Sequence, residues 1–481
     1  MPRALFVVSI YNYHREVRPV VAAFLRAGWQ VTATIGWLGK TADEAASDYA
    51  ALGCGVLRLP AEMAYAGMEP DGNKGPVSKG PKPRPLATPG VLRRMASSLR
   101  MILRMRNMRD QLSRFMDSLN PDLVFSGPFH SCGWFDNGFV RDARRRGILH
   151  CCYPVSAYHG RESAVLARFN NLAMGMLPSI LRSDYDLLNR FLAWAFPGWT
   201  QTRNGNTIFM WEPVTMLAAW LTGLMERDIW QKPSPDFDAV FVFNRFSRNL
   251  LESNGFPMDK VIVSGIPLLD ASVTRAADPA ARRAMLVDLG LADGEPFLLF
   301  NVEPSAEHHY CDWDRHWENF RAMMRLVTAQ GLPVVLSLHP LCRPEDYLFA
   351  ESEFGVRIAR RWKIHDLYPV CAFVVSFPCS TNLIAEVFDK PLAIYDFFLM
   401  AHPDSPRVAE FRLPGALVGH TIDEIAANVA QLAGALSGEA GRSPPDAVPP
   451  APTFMMASDV IRRHVEQLLR ARGEGGLACA N

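Results

Sequence analysis

Short apolar runs alternate with amphipathic stretches through the first half of the chain. ALFVVSI is followed by VRPVVAAFLRAG and WQVTATIG, and later come GVLRLP, DLVFSG, ILHCCYP, DAVFVF and VIVSG. Each run is apolar throughout instead of alternating with polar residues, so each predicted strand buries both of its faces. That is the pattern of a parallel sheet covered by helices on both sides. After SGIPLLD, residues 264–270, charged helical sequence leads into a second series: PFLLFNV, PVVLSLHP, VRIAR, FVVSFP, PLAIYDF and ALVGHT. The second series repeats the architecture without repeating the sequence. The pattern predicts an α/β protein of two doubly wound, Rossmann-like domains facing one another.

The predicted N-terminal domain covers 1–275 and the second domain 276–436. A Pro-rich linker follows at 437–453, then a C-terminal helix and tail at 454–481. The linker and the segment 69–90 are too rich in Pro and Gly to sustain a helix or a central strand. FMMASDVIRRHVEQLLRAR reads as an amphipathic helix capped by Ser458 or Asp459 that packs back on the body. Residues 165–225 break the alternation and read as a helical insertion, about 165–230, rich in Leu, Met, Phe and Trp. Such a segment is a helical subdomain or dimer surface, or else an interfacial lipid-docking surface. Upstream, RRMASSLRMILRMRNMRDQLSRF (93–115) mixes seven arginines with Met, Leu and Ile. It reads as a solvated helix with one core face, or as a basic amphipathic helix on an anionic bilayer.

At 481 residues the chain is longer than one hydrophobic core usually supports, which agrees with two domains. Fifty Lys and Arg against 49 Asp and Glu leave no global field to attract nucleic acid, so any anion must be bound locally. The nine cysteines form no CxxC pair, as expected of free thiols in a reducing compartment. MPRALFVVSIYNYHREV lacks the basic leader and apolar block of a signal peptide, so the chain reads as cytoplasmic. TIFMWEPVTMLAAWLTGLM (207–225) comes nearest to a membrane span, but Glu212 and Pro213 interrupt it.

The chemistry concentrates in SFPCSTNLIAEVFDKP, residues 376–391. An apolar strand ends, a turn carries Ser380 and Thr381, and a helix starts near Asn382. Unpaired peptide N–H groups and two hydroxyls therefore converge at the carboxyl end of a strand, where open α/β sheets bind ligands. Glu386, about a turn and a half further on, suits the paired hydroxyls of a ribose. Phosphate on the turn and sugar on the carboxylate describe a nucleotide. The alternative is a capping serine and a solvated glutamate. A second strand ends in His339, followed by Arg343, and both can meet the same diphosphate. After PFLLFNV come His308, His309, Cys311, Asp312, Asp314 and His316, whose spacing fits no standard zinc pattern. His308 and His309 read as donor-phosphate contacts or as structural or acceptor-side residues.

A strand ending in His-Pro, then Asp366-Leu367-Tyr368, an apolar strand, Ser380-Thr381, Ala385-Glu386 and Asp389-Lys390-Pro391 resembles the donor domain of GT-B glycosyltransferases. The branch with CDP-glycerol glycerophosphotransferases, capsule-polysaccharide transferases and UDP-GlcNAc 2-epimerases is the most similar in pattern. Gly265, Pro267 and Asp270 resemble the close of that family's first domain, and IYNYHREVRPVVAAFLRAGWQV its opening strand and helix. The resemblance implies that Ser380 contacts the diphosphate and Glu386 the ribose. It also implies that no metal or cofactor is needed beyond a nucleotide-sugar co-substrate, UDP- or CDP-linked. The epimerases' His-Arg-Arg-Glu-Asn loop is absent, which counts against epimerisation.

Group transfer needs a stabilised leaving group, an aligned acceptor and a base. Candidate bases after strands of the first domain are His14, Asp136, and His159 with Glu162. The expectation is a glycosyltransferase using a glycan or lipid-linked acceptor in cell-surface polysaccharide or glycolipid synthesis, with peripheral contact at the inner face of the cytoplasmic membrane. A CDP-glycerol-type glycerophosphotransferase, a nucleotide-sugar 2-epimerase and a non-catalytic nucleotide-sugar-binding protein are the alternatives.

Overall fold

The computed structural model describes residues 1–60, 91–127, 134–153, 165, 169, 186–203, 205–226, 228–231, 233–308, 310–400, 413–438 and 456–478. Two compact units emerge. One comprises Met1–Val242, Ser247–Ser264 and Ser458–Asn481, the other Phe243–Phe246 and Gly265–Ala457. The segment 69–90 lies outside the described residues, as does the linker expected at 437–453 apart from 437 and 438, which end the helix Ile422–Gly438 instead.

The first unit is built on β1 (Arg3–Val8), β2 (Gln30–Ile35), β3 (Gly55–Arg58), β4 (Leu123–Ser126) and β5 (Leu149–Cys152). A hairpin, β6 (Thr200–Arg203) and β7 (Asn206–Phe209), stands apart, and β8 (Ala239–Val242) and β9 (Val261–Val263) complete the main sheet. The order is β3-β2-β1-β4-β5-β8-β9, every pairing parallel. The chain steps outward through β2 and β3, then returns to the other side of β1, so the order reverses between β1 and β4. Phe6 on β1 meets Phe24 of the helix Tyr11–Arg26 and Phe125 on β4, whose ring stacks on Phe241 of β8. These contacts are why the strands read as unbroken apolar runs.

The arginine-rich segment is the helix Val91–Leu119. Met105, Met108, Leu112 and Met116 recur at helical spacing and are buried against Phe139 and Ala219. The helix stops where Asn120 takes φ of 41°, a left-handed conformation that Asn tolerates. Within the expected helical insertion the helices Asp186–Ala195 and Pro213–Thr222 are present, but the β6–β7 hairpin lies between them. The reading of 165–225 as helical is corrected there. The 207–225 stretch is split by the residues singled out in it. The Glu212 carboxylate caps the second helix by accepting from the amides of Val214 and Thr215, and Pro213 occupies its first turn. Among the described residues no helix is long and apolar enough to cross a membrane.

The second unit carries β10 (Leu298–Val302), β11 (Val334–Leu338), β12 (Arg357–Ile358), β13 (Phe373–Ser376), β14 (Leu392–Tyr395) and β15 (Leu417–Gly419). Its all-parallel order, β12-β11-β10-β13-β14-β15, reverses between β10 and β13. Met323, Met324 and Val327 of the helix Trp313–Thr328 and Val429 of the helix Ile422–Gly438 bury against these strands. Both units are thus Rossmann-like, as the resemblance to GT-B enzymes implies.

The final helix, Ala457–Ala478, packs back on the first unit. Ile461 and Val465 are fully buried. Arg472 pairs with Asp238 and donates to the Gly147 carbonyl, and Trp29 donates to Glu466.

Candidate functional site

Because all six strands of the second unit run parallel, the segments after them share one edge of the sheet. The reversal between β10 and β13 puts residues 303–308 and 377–381 at the place where such sheets open a crevice. Directly beneath, Asn301 of β10 donates to Ser376 Oγ of β13 at 2.9 Å and to Tyr368 at 3.2 Å. Tyr395 of β14 donates to the Asn301 carbonyl at 2.6 Å and accepts from the Glu303 amide at 3.0 Å. Side-chain bonds therefore tie three adjacent strands together under the reversal point and fix the turns above them.

The turn after β13 explains why it is made of small polar residues. Cys379 Sγ lies 2.9 Å from Thr381 Oγ1 and donates to Asn382 Oδ1, while the Asn382 amide donates to the Phe377 carbonyl at 2.8 Å. Asn382 is buried, Thr381 is half-buried and its hydroxyl also serves Tyr368, and Ser380 is exposed. Of the three turn residues singled out in the sequence, Ser380 is the one presented to solvent, and Thr381 and Asn382 hold the loop in shape. The helix they start, Asn382–Val387, is six residues long.

Glu386 on that helix is exposed and accepts from Asn244 Nδ2 at 2.6 Å. Partial burial pushes its carboxyl upward, against the Phe246 amide and the Asn244 side chain, which hold it down. Asn244 was not legible as a site residue. Its only signal is its place just after a buried strand, in FNRFS.

His308 and His339 come together with ring centroids 5.7 Å apart, and His339 lies edge-on to Phe377. His339 Nδ1 accepts from the Leu341 amide at 3.2 Å, which leaves the proton on Nε2. Burial, and then the neighbouring His308, lower His339 to about 4. It is a neutral hydrogen-bond donor at pH 7, not a cation. Arg343 does not join this group. Its guanidinium is exposed and engages Asp346 in a bidentate pair. His309 lies outside the described residues. His316 is buried between Ser305 and Tyr347, so it is structural. Among the described residues no group of three or more His, Cys, Asp or Glu could hold a metal ion.

Glu303, which the sequence did not single out, follows β10. It is buried, and burial followed by the charge of Asp396 raises its carboxyl to about 8. Beside it a cavity of about 20 Å3, lined also by Ser305, His316, Tyr395 and Phe397, has room for one water-sized group.

In the first unit, His14 Nε2 lies 3.2 Å from the Asp48 carboxylate, and its ring is edge-on to Tyr49. Its Nδ1 is buried and has no hydrogen-bond partner among the described residues. Burial lowers its basicity and the Asp48 partner opposes that. Asp136 begins the helix Phe135–Arg145 and is wholly buried, with Ser9 as the hydroxyl beside it, and burial holds its carboxyl well above the usual range. A carboxyl so placed does not meet a substrate in solution. His159 and Glu162 lie outside the described residues.

No protein-family model matches the chain, and no curated protein matches it. Among solved structures it is similar to the UDP-GlcNAc 2-epimerase from Neisseria meningitidis bound to UDP-GlcNAc, 14% identical over 97% of this chain and 100% of that one, TM-score 0.47. It is similar also to CalG4, the calicheamicin glycosyltransferase, at 13% identity over 97% of this chain and 98% of that one, TM-score 0.47. The glycosyltransferase of kitacinnamycin is 14% identical over 96% of this chain and 99% of that one, TM-score 0.48.

Proposed function

We propose that the chain is a glycosyltransferase that transfers a sugar from a nucleotide-activated donor, UDP- or CDP-linked, to a glycan or lipid-linked acceptor. The observation that carries this reading is the position of the Ser380 turn and Glu386 immediately after β13, at the reversal of a β12-β11-β10-β13-β14-β15 sheet. Ligands of open α/β sheets bind there. The order of motifs from His339 to Pro391, which resembles the GT-B donor domain, supports it further.

In this reading the exposed Ser380 hydroxyl takes the diphosphate, with His339 Nε2–H as a neutral donor and His308 beside it. Dipoles fixed by the Cys379–Thr381–Asn382 bonds need no reorganisation as charge grows on the leaving group. Glu386 takes the ribose hydroxyls, held in place by Asn244 in the free protein. His14 is the candidate base: Asp48 fixes the proton on Nε2, so Nδ1 is the nitrogen that would accept, once uncovered.

The test is incubation with a panel of UDP-, CDP- and GDP-sugars and CDP-glycerol. Release of a nucleoside diphosphate with transfer or hydrolysis is expected. Released CMP would redirect the reading to glycerophosphotransfer, a converted sugar on an intact nucleotide to an epimerase, and binding without turnover to a non-catalytic protein. Ser380→Ala and Glu386→Ala should each weaken nucleotide affinity about five- to tenfold by calorimetry, the scale of one lost charge-assisted hydrogen bond. Affinity unchanged in both variants would place the nucleotide elsewhere.

A further inference from the structure

The first unit exposes an aromatic edge that its fold does not use. Phe191 and Trp194 project from the helix Asp186–Ala195, with Trp194 78% exposed, and their rings lie 5.9 Å apart. Phe196 follows, stacked on Trp199 at 4.1 Å and edge-on to Trp220 at 5.0 Å. Trp220 and Leu221 are 48% and 53% exposed on the helix Pro213–Thr222. Phe191, Trp194, Trp220 and Leu221 are therefore exposed across two helices, while Phe196 and Trp199 anchor them to the core, and monomeric surfaces rarely leave such a patch without a use.

The strip has a basic end. Gly223, which closes the second of these helices, lies so near Arg141 that a Cβ placed there would come within 3.1 Å of its guanidinium. Arg145 and Arg109 are the charged neighbours that most disfavour the Arg141 charge after burial, and Asp142 and Asp110 offset them only in part. Arg109 is itself paired with Asp110, so Arg141 and Arg145 are the cations beside exposed Trp and Leu that favour an anionic surface. Arg109 belongs to the helix Val91–Leu119, whose core stripe is Met105, Met108, Leu112 and Met116. At about 100° per residue, Leu99 and Leu103 stand roughly opposite that stripe. Both are exposed, as are Arg100 and Arg106 beside them. This helix thus has a second apolar face, rimmed by cations.

We propose that this surface docks on an anionic lipid bilayer, with the aromatic strip in the headgroup region and the arginines on lipid phosphates. Trp sits stably at that depth, and each Arg near an anionic surface adds attraction that salt screens. A second protein copy would supply an apolar face but no answer to the gathered arginines, which is why lipid is the occupant.

Flotation of the full chain with phosphatidylcholine vesicles, with and without about one third phosphatidylglycerol, tests it. Binding is expected only to the anionic vesicles and should fall as salt is raised. Trp194→Ser with Trp220→Ser should cut it by about tenfold or more, from the loss of the apolar contact. Arg141→Gln and Arg145→Gln should each cut it about fivefold while leaving the thermal melt in place. Equal binding to neutral vesicles, no binding to either, or binding undiminished in both sets of variants would overturn the proposal. So would light scattering that shows a dimer converted to monomer by the tryptophan variants, which would assign the face to a second copy.

Discussion

Glu303 is held above its usual range by burial and by Asp396, and the consequence for stability has a definite sign. Its native value is about 8 and its reference value 4.5. Between those values the folded chain binds a proton on this group that the unfolded chain has released. The neutral carboxyl is therefore fully tolerated below about pH 4.5, and the native state loses stability as pH rises toward 8. Glu16 in the first unit is also raised to about 8 by burial and acts in the same direction. Glu303→Gln should remove one such dependence. Relative to the parent chain, the variant should gain on the order of 1.4 kcal/mol per pH unit across the middle of that window, and less as pH nears 8, read from urea melts at pH 5.5 and 8.5. A constant difference between the two curves would mean that Glu303 does not hold its proton. At this scale the sequence showed chemistry only where a motif carried it. Ser380 and Glu386 stand out because a turn and a helix frame them, whereas Asn244 and Glu303 acquire their roles from residues far away in the chain.

Elements were more legible than residues, for a physical reason. A strand buried on both faces must be apolar throughout, so β1, β4, β10 and β13 announce themselves in any window. The β6–β7 hairpin does not, because it lies off the main sheets among Leu- and Trp-rich helices. Its turn signal was nonetheless present: Asn204-Gly205 separates Thr200–Arg203 from Asn206–Phe209, and Gly205 adopts φ of 73°, as such turns demand. Helix packing depends on details that sequence patterns hide. Gly138 lies within the helix Phe135–Arg145, where a Cβ would come within 2.4 Å of Leu112 Cδ1 on the helix Val91–Leu119. Helix propensity alone would favour Ala there by up to about 1 kcal/mol. Leu112 is fully buried and has little room to yield, so overpacking of about 1–3 kcal/mol should win. Gly138→Ala is therefore expected to lower the urea midpoint, and a rise would show that the two helices can separate freely.

At the scale of the whole molecule, each unit has its own sheet and its own buried core, so unfolding need not be a single cooperative event. The helix Ala457–Ala478 separates the two experimentally. It buries Ile461 and Val465 and bonds to residues of the first unit, and burial of two such side chains is worth about 3–6 kcal/mol. Deleting 458–481 should lower the transition of the first unit while that of the second, followed through a Met324→Ala reference variant, stays where it was. An equal shift of both would contradict this division of the chain.

The same helix bears on how the protein is made. The last piece of the first unit leaves the ribosome only after all of residues 265–457, so a nascent chain displays that unit's uncovered flank throughout synthesis of the other. Chains emerge at about 5–20 residues per second, which leaves that flank bare for roughly 10–40 seconds, long enough for chaperone engagement. A ribosome that stalls late would release a product with a finished second half and an open first half, a ready target for quality control.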